Sequence, residues 1–186
     1  MRCSSHWQAA GVLALLAMLS SVWPESFAAL DWERGAIGEG QWSRLLTAHL
    51  AHLDAHHLLF NLLGLALIVD LLMEAWTATE FSTLMLISAL GTSVLLWYCE
   101  PELSWYAGMS GLLHGLWAGA ALHMCLSRRS ALHAFALLAL VIKLVFLNDS
   151  AGATPVLPIS HVYGALSGLL WALMRRLLMI SPIRLE

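Results

Sequence analysis

The strongest constraint on this chain is a series of apolar stretches, each long enough to cross the hydrocarbon core of a bilayer as a helix. Such a crossing takes about 20 mostly apolar residues, and fewer when flanking side chains snorkel. None of the stretches alternates apolar and polar residues over a sustained length, which disfavours a β-barrel. The sequence therefore predicts an all-α integral membrane protein, one domain over residues 1–186, with six transmembrane helices at about 9–23, 57–73, 81–99, 105–126, 131–147 and 161–180.

Composition supports a membrane protein and excludes several other classes. Hydrophobic residues make up 60% of the chain and charged residues 11%, whereas a soluble domain carries about a quarter charged residues. The net charge is −3 and the nine Lys and Arg residues form no basic stripe, so we expect no nucleic-acid partner. Cys3, Cys99 and Cys125 lack C-x-x-C spacing, which predicts neither a disulfide framework nor a zinc site. We expect no cofactor and no resident metal.

The placement of positive residues predicts the orientation in the membrane, because cytoplasmic loops carry an excess of Lys and Arg. Arg34 and Arg44 lie in the extramembrane loop of residues 24–56. Lys143 lies inside the fifth stretch, and we expect it to snorkel outward. The other positive residues share the opposite side and make both termini cytoplasmic: Arg2, Arg128, Arg129, Arg175, Arg176 and Arg184.

The first stretch has a second interpretation, which the sequence leaves open. Residues 1–28 combine a short basic start, an apolar run and the segment Ser26-Phe27-Ala28, which is similar to a cleavable signal peptide. Cleavage would leave five spans without inverting them. The predicted orientation of the remaining helices therefore holds in both cases.

Polar residues that are costly inside a membrane mark a predicted functional site. The start of the second stretch carries a histidine-rich segment that ends in Asn61. Ser110 lies at the start of the fourth stretch and His161 at the start of the sixth. In the predicted topology these three positions lie at one level, in the outer part of the membrane. The histidines of the first segment are His49, His52, His56 and His57.

Two glycine stripes predict which helices touch, because small residues four apart let helices approach closely in lipid. Ser110 comes one residue before the first stripe, and His161 lies on the same helical face as the second. Docking the stripes would bring the serine hydroxyl towards the imidazole, as an activated nucleophile requires. The stripes are Gly111, Gly115 and Gly119 on the fourth stretch, and Gly164 and Gly168 on the sixth.

With these motifs, residues 40 to 170 resemble a rhomboid-type intramembrane serine protease. The segment GMSG at 108–111 is similar to the family's G-x-S-G motif, and HVYGALSG at 161–168 is similar to its H-x-x-G-x-x-x-G motif. The spacing from His52 through His57 to Asn61 is similar to H-x4-H-x3-N. The first loop resembles the family's W-R motif, but Ser43 stands between Trp42 and Arg44.

The resemblance implies a serine protease mechanism for this site. Ser110 would attack the scissile carbonyl and His161 would take its proton. Asn61, His57 and the Ser110 backbone N–H would stabilise the oxyanion. No Asp or Glu is placed to complete a triad, since Glu100, Glu102 and Asp149 are loop residues, so the resemblance implies a dyad.

Supporting roles also follow from the resemblance. Gly108 and Gly111 would leave room for the substrate backbone, and His52 would support the first loop. His114 lies four residues after Ser110, on the same helical face. We expect it to stack on His161 or hydrogen-bond to it. His114 as the base itself is the alternative.

The compact length and the segment SGLLHG at 110–115 resemble the rhombosortase branch of the family. Members of that branch resemble processing enzymes for secreted proteins with a C-terminal Gly-Gly, a hydrophobic helix and a basic tail. This implies protein substrates with a transmembrane or C-terminal hydrophobic anchor. It also implies a bacterial inner membrane location, with the site opening to the periplasmic side.

Two other functions stay open on the sequence. One is a catalytically inactive rhomboid-like protein that binds transmembrane segments. The other is a metal or haem membrane protein with ligands such as His52 and His56, which are four residues apart. The oligomeric state, and the choice between hydrolysis and transfer to an acceptor, stay undetermined.

Overall fold

The computed structural model describes residues 5–22, 25–74, 76–146 and 158–180, most of them helical. The predicted span ends at Trp23 and Leu147 lie outside these residues, as do Arg2, Cys3, Asp149 and Arg184. The elements in chain order are α1 (Ser5–Val22), α2 (Ser26–Leu30), β1 (Trp32–Glu33), α3 (Arg34–Gly38), α4 (Arg44–Thr47), α5 (Ala55–Leu72), α6 (Ala78–Cys99), β2 (Trp105–Tyr106), α7 (Ser110–Arg128), α8 (Ala131–Phe146) and α9 (Pro158–Ile180).

A long helix overlaps each of the six predicted stretches. By length and composition, α1, α5 and α6 are apolar enough to cross a membrane, and α8 is a shorter apolar helix. The other two long helices, α7 and α9, carry the glycine stripes together with Ser110, His114 and His161. Those small and polar residues lower their hydropathy, which is why composition alone does not mark them as spans.

The predicted start of the fourth stretch at Trp105 is wrong, because α7 begins at Ser110. The intervening residues Trp105–Tyr106 form β2, which pairs antiparallel with β1 and places Trp32 opposite Tyr106. Gly108 then adopts φ +121°, a conformation that L side chains rarely adopt. The short ladder ties the segment before Ser110 to the first loop.

The first loop is held by two arginines. Arg44 donates from Nη1 to the Asp31 backbone oxygen (2.8 Å) and to Asp31 Oδ1 (2.6 Å). Burial raises the pKa of the Asp31 carboxyl, and the Arg44 partner opposes that rise. Arg34 donates from Nη2 to the Glu100 carbonyl (2.7 Å) at the end of α6, where free helix carbonyls favour a cation. Trp42 is 70% exposed and is therefore not part of this packing.

The centre of the fold is the seam between α7 and α9, and their glycines set its spacing. A Cβ atom at Gly164 would overlap the carbonyl of Gly111, and one at Gly168 would overlap the carbonyl of Gly115. A Cβ at Gly115 would lie 2.8 Å from the Gly164 carbonyl oxygen. Backbone therefore packs on backbone, and the glycine spacing predicted this contact correctly.

Candidate active site

The two residues that the glycine stripes were expected to bring together are in hydrogen-bond contact. Ser110 Oγ lies 3.0 Å from His161 Nε2, although 51 residues separate them in sequence. Ser110 is the first residue of α7, and His161 lies in the first turn of α9. At this distance a serine hydroxyl can donate to a neutral imidazole. The pair therefore has the geometry of a nucleophile and its base.

The glycines around Ser110 make room for the protein itself. A Cβ at Gly108 would lie 2.6 Å from Cε1 of His57. A Cβ at Gly111 would lie 2.9 Å from Thr92 Cγ2 and 3.0 Å from the Ser160 carbonyl oxygen. Protein atoms thus fill the space beside both α-carbons, and an approach of the substrate backbone at Gly108 and Gly111 stays a prediction.

His114 stacks on His161, with ring centroids 4.2 Å apart and an interplanar angle of 16°. Its Nδ1 lies 2.7 Å from the backbone oxygen of Ser110. Because a carbonyl only accepts, Nδ1 carries the proton and is committed to the backbone. His114 therefore fixes the plane of the His161 ring, whereas the contact with the serine hydroxyl comes from His161. This geometry favours His161 over His114 as the base.

Two side chains predicted to stabilise an oxyanion carry polar atoms that lack a partner among the described residues. Both ring nitrogens of His57 and the amide nitrogen of Asn61 are buried and have no hydrogen-bond partner within the described residues. Leaving a buried donor unsatisfied costs about 1–3 kcal/mol. A ligand that accepts hydrogen bonds from Asn61 and His57 would therefore remove this cost.

His52 supports His57 from the first loop. The two rings meet edge to face at 5.2 Å and 67°, and His52 Nδ1 lies 2.9 Å from the Leu50 carbonyl oxygen. Burial is the main reason that the pKa of His52 and that of His49 fall to about 4. Both rings therefore stay neutral at physiological pH, and neither opposes protonation of a neighbouring histidine.

The family comparison agrees with this geometry. The model of the Rhomboid domain matches residues 39–177, most of the chain. The chain belongs to the rhomboid family. Rhomboids are generally intramembrane serine proteases, so this is an integral membrane protein of an intramembrane protease family. Among curated proteins, no relative matches the sequence.

The rhomboid domain contains a cavity of about 610 Å³ between α5, α7 and α8. One wall is a stripe of α5 from Phe60 to Leu71, and the facing wall is a stripe of α8 from Leu132 to Ala139. Leu71 follows Phe60 by eleven positions, which is about 16 Å along the α5 axis at 1.5 Å per residue. The polar lining residues gather at one end: His56, His57, Asn61, Ser110, His114, Lys143 and His161.

The outward snorkelling expected of Lys143 stays a prediction. Lys143 is half-buried and lines the cavity. The reason is its register on α8, because Lys143 follows Leu132, Ala136 and Ala139 at steps of three or four residues. The same spacing in the sequence could have shown that Lys143 belongs to that face.

Sequence reasoning missed two residues that shape this rhomboid site. Tyr106 donates its hydroxyl to the Gly108 carbonyl at 2.7 Å and so holds the turn before Ser110. Arg34 fastens the first loop to the end of α6, and it also lies over the rings of Trp32 and Trp97. A sequence signal for pairing between residues near 32 and near 106 could have identified Tyr106 and Arg34. Strands of two residues are too short to give such a signal.

The histidines do not assemble into a metal centre in the part of the chain that is described. There, no group of three or more His, Cys, Asp or Glu side chains is arranged to hold an ion. His52 faces His57, while the ring of His56 is exposed. The pair that the metal or haem interpretation invoked therefore does not converge.

Proposed function

We propose that this rhomboid is an active intramembrane serine endopeptidase that uses a Ser110–His161 dyad. The observation that carries the proposal is the 3.0 Å contact between Ser110 Oγ and His161 Nε2. It lies at the polar end of a cavity that is otherwise apolar. An inactive relative that only binds transmembrane segments would have no need of this contact or of the unsatisfied donors beside it.

In the proposed reaction, Ser110 Oγ forms a bond to the scissile carbonyl carbon while its proton moves to His161 Nε2. The negative charge develops on the carbonyl oxygen. Donors for it are the Ser110 backbone N–H, at the free N-terminus of α7, and the side chains of Asn61 and His57. Each such donor contributes about 10²–10³ in rate.

The tetrahedral intermediate then breaks its C–N bond, and His161 returns the proton to the leaving amine. The acyl-enzyme ester is resolved by water or by an amine acceptor, with His161 again as the base. His114 acts as a positioning residue, because its stacked ring limits rotation of His161 during both proton transfers. Its own Nδ1 keeps its proton and continues to donate to the Ser110 carbonyl oxygen.

The proposed substrates are proteins with a transmembrane or C-terminal hydrophobic anchor. An apolar groove of about 16 Å with its reactive groups at one end suits an anchor cleaved near its end. The SGLLHG segment favours rhombosortase-type processing of a Gly-Gly signal on secreted proteins. Small residues at the scissile bond also suit a serine surrounded by close-packed backbone.

The proposed topology has six crossings in a bacterial inner membrane, with both termini in the cytoplasm. Three helices, α5, α7 and α9, begin at the site, and α8 ends there. Arg128, Arg175 and Arg176 lie at the other ends of these helices. The positive-inside bias therefore favours a site on the periplasmic side.

A covalent probe tests the nucleophile. We expect a fluorophosphonate to label the full-length protein, and labelling to disappear in Ser110→Ala. Ser88→Ala is the matched control, because Ser88 is a buried serine on α6 outside the cavity. Labelling that persists in Ser110→Ala, or no labelling of the native protein, contradicts the proposal.

Co-expression with a candidate Gly-Gly helix-tailed protein tests the substrate class. Mass analysis of the new C-terminus separates a free acid, which indicates hydrolysis, from an added amine, which indicates transfer. An unprocessed candidate, in cells where the probe labels Ser110, would contradict rhombosortase-type processing and leave the protease assignment intact.

A further inference from the structure

The cavity contains one charged group that the proposed reaction does not use. Among the described residues that line it, Lys143 is the only Lys, and there is no Arg, Asp or Glu. Lys143 makes no hydrogen bond or ion pair with any described residue. A half-buried cation in an apolar groove is costly and is a candidate for function.

The position of Lys143 relates it to the reacting atoms. It lies on the outer half of α8, eleven residues after Leu132 at the far end of the cavity, which is about 16 Å along the helix axis. That places it at the polar end of the groove. Lys143, His114 and His161 line the same cavity, whose mostly apolar walls let charges act on one another more strongly than in water.

With no partner among the described residues, an ammonium at this position opposes the reaction. The proposed mechanism makes His161 cationic while Ser110 attacks, and a second positive charge nearby disfavours that state. A purely apolar substrate would also cover Lys143 and strip its water without replacing it. Both costs disappear if the occupant of the groove brings a negative charge to this end.

We propose that Lys143 is a specificity-determining residue that binds a carboxylate of the substrate or product beside the scissile bond. This inference depends on the proposed function. The carboxylate has two possible sources. One is an Asp or Glu side chain at the start of the substrate's hydrophobic segment. The other is the terminal carboxylate that forms when water adds to the acyl-enzyme ester and releases Ser110.

Binding of synthetic peptides to full-length Ser110→Ala protein tests the proposal without requiring cleavage. The first pair carries Gly-Gly followed by Asp or by Asn and then an apolar segment. The second pair ends at Gly-Gly as a free acid or as an amide. We expect the charged member of at least one pair to bind about tenfold more tightly, as for a hydrogen bond to a charged group.

Variants of Lys143 in the same background decide the cause. Lys143→Met should abolish the charge preference and Lys143→Arg should keep it. Arg176→Met is the matched control, because it removes a positive charge from an exposed position at the other end of α9 and should leave the preference intact. Lys143→Glu should favour a peptide with Lys at the Asp position.

Each outcome has a defined meaning. A preference in the first pair assigns the substrate side chain, and a preference in the second assigns the product carboxylate. No preference in either pair, or one that survives Lys143→Met, overturns the inference. The inference is also overturned if peptide binding depends on Lys143 only after anionic lipid is added. The anion bound by Lys143 would then be a lipid headgroup. Failure of probe labelling at Ser110 overturns the proposed function separately.

Discussion

Two helix pairs in this molecule differ in how closely they pack. The closely packed pair carries the proposed catalytic residues, and the open pair carries the proposed substrate-binding residues. Helices α7 and α9 touch backbone to backbone through Gly111, Gly115, Gly164 and Gly168. Helices α5 and α8 are held apart by a cavity of about 610 Å³ and meet at the end away from Ser110, where His133 Nε2 lies 3.3 Å from the Leu72 carbonyl oxygen.

The tight seam carries the groups that must be positioned accurately. Proton transfer needs Ser110 and His161 within hydrogen-bond reach, and side chains at the seam's glycines would push the helices apart. The open pair carries the groups that we propose bind the substrate, namely His57, Asn61 and Lys143. Because α5 and α8 do not pack against each other along the cavity, a hydrophobic substrate segment can fill the space between them.

The largest expected effect is loss of the base on the seam. His161→Ala should lower kcat by about 10⁴-fold or more, because catalytic pairs act as a unit. His114→Ala should cost about tenfold, as expected of a partner that only restrains a ring through stacking. The measurement is cleavage of an anchored substrate in detergent or proteoliposomes. If His114→Ala is the inactive variant and His161→Ala retains activity, the assignment of the base is reversed.

Loss of a donor on the open side should have the next largest effect. Asn61→Ala removes a buried amide that has no partner in the described structure, so kcat should fall about 10²–10³-fold. The unliganded protein should be no less stable, since no internal hydrogen bond is lost. Steady-state kinetics and thermal unfolding measure the two quantities. Unchanged kcat with a lower Tm would make Asn61 structural.

Adding a single methyl group should lower the stability of the protein at the seam but not at an unconstrained helix surface. A Cβ at Gly164 would overlap the Gly111 carbonyl, whereas a Cβ at Gly11 on α1 meets nothing within 4 Å. Gly164→Ala should therefore destabilise the protein by about 1–3 kcal/mol and reduce activity by moving His161.

The matched variant is Gly11→Ala, which should be neutral or stabilise α1 by up to about 1 kcal/mol. Denaturant unfolding in mild detergent compares the two proteins. Equal stabilities would mean that the seam adapts to a methyl group, and the comparison of the two helix pairs would lose its basis.

Most of the helical framework could be predicted from the sequence, because long apolar stretches have few alternatives in lipid. The start of α7 could not, since it depends on a ladder between Trp32 and Tyr106 that joins distant residues. The short elements of the first loop are likewise fixed by tertiary contacts, such as those of Arg34 and Arg44, and not by local periodicity.

The candidate site was predictable where helical periodicity decides the geometry and not where side-chain direction decides it. The glycine stripes predicted that Ser110 and His161 meet. The bond from His114 to the Ser110 carbonyl depends on a rotamer, and the role of Gly108 depends on where the His57 ring lies. For Lys143 the spacing on α8 gives the helical face, but the direction in which its long side chain extends along that face depends on its rotamer.

The smallest expected effect concerns the volume between α5 and α8. Ala139 lines the cavity on α8, and Ala139→Phe should fill part of it without touching the seam. We expect KM to rise about tenfold with kcat within about twofold, because lost apolar contact weakens ground state and transition state equally. Leu138→Phe is the control, since the neighbouring Leu138 is 56% exposed and does not line the cavity, and the change should leave both constants unchanged. Kinetics on an anchored substrate in proteoliposomes distinguish the two variants.

Two other outcomes would contradict this expectation. An equal rise in KM for both variants would mean that substrate approaches α8 from its lipid face. A fall in kcat for Ala139→Phe alone would mean that the cavity wall positions Ser110 as well as the substrate.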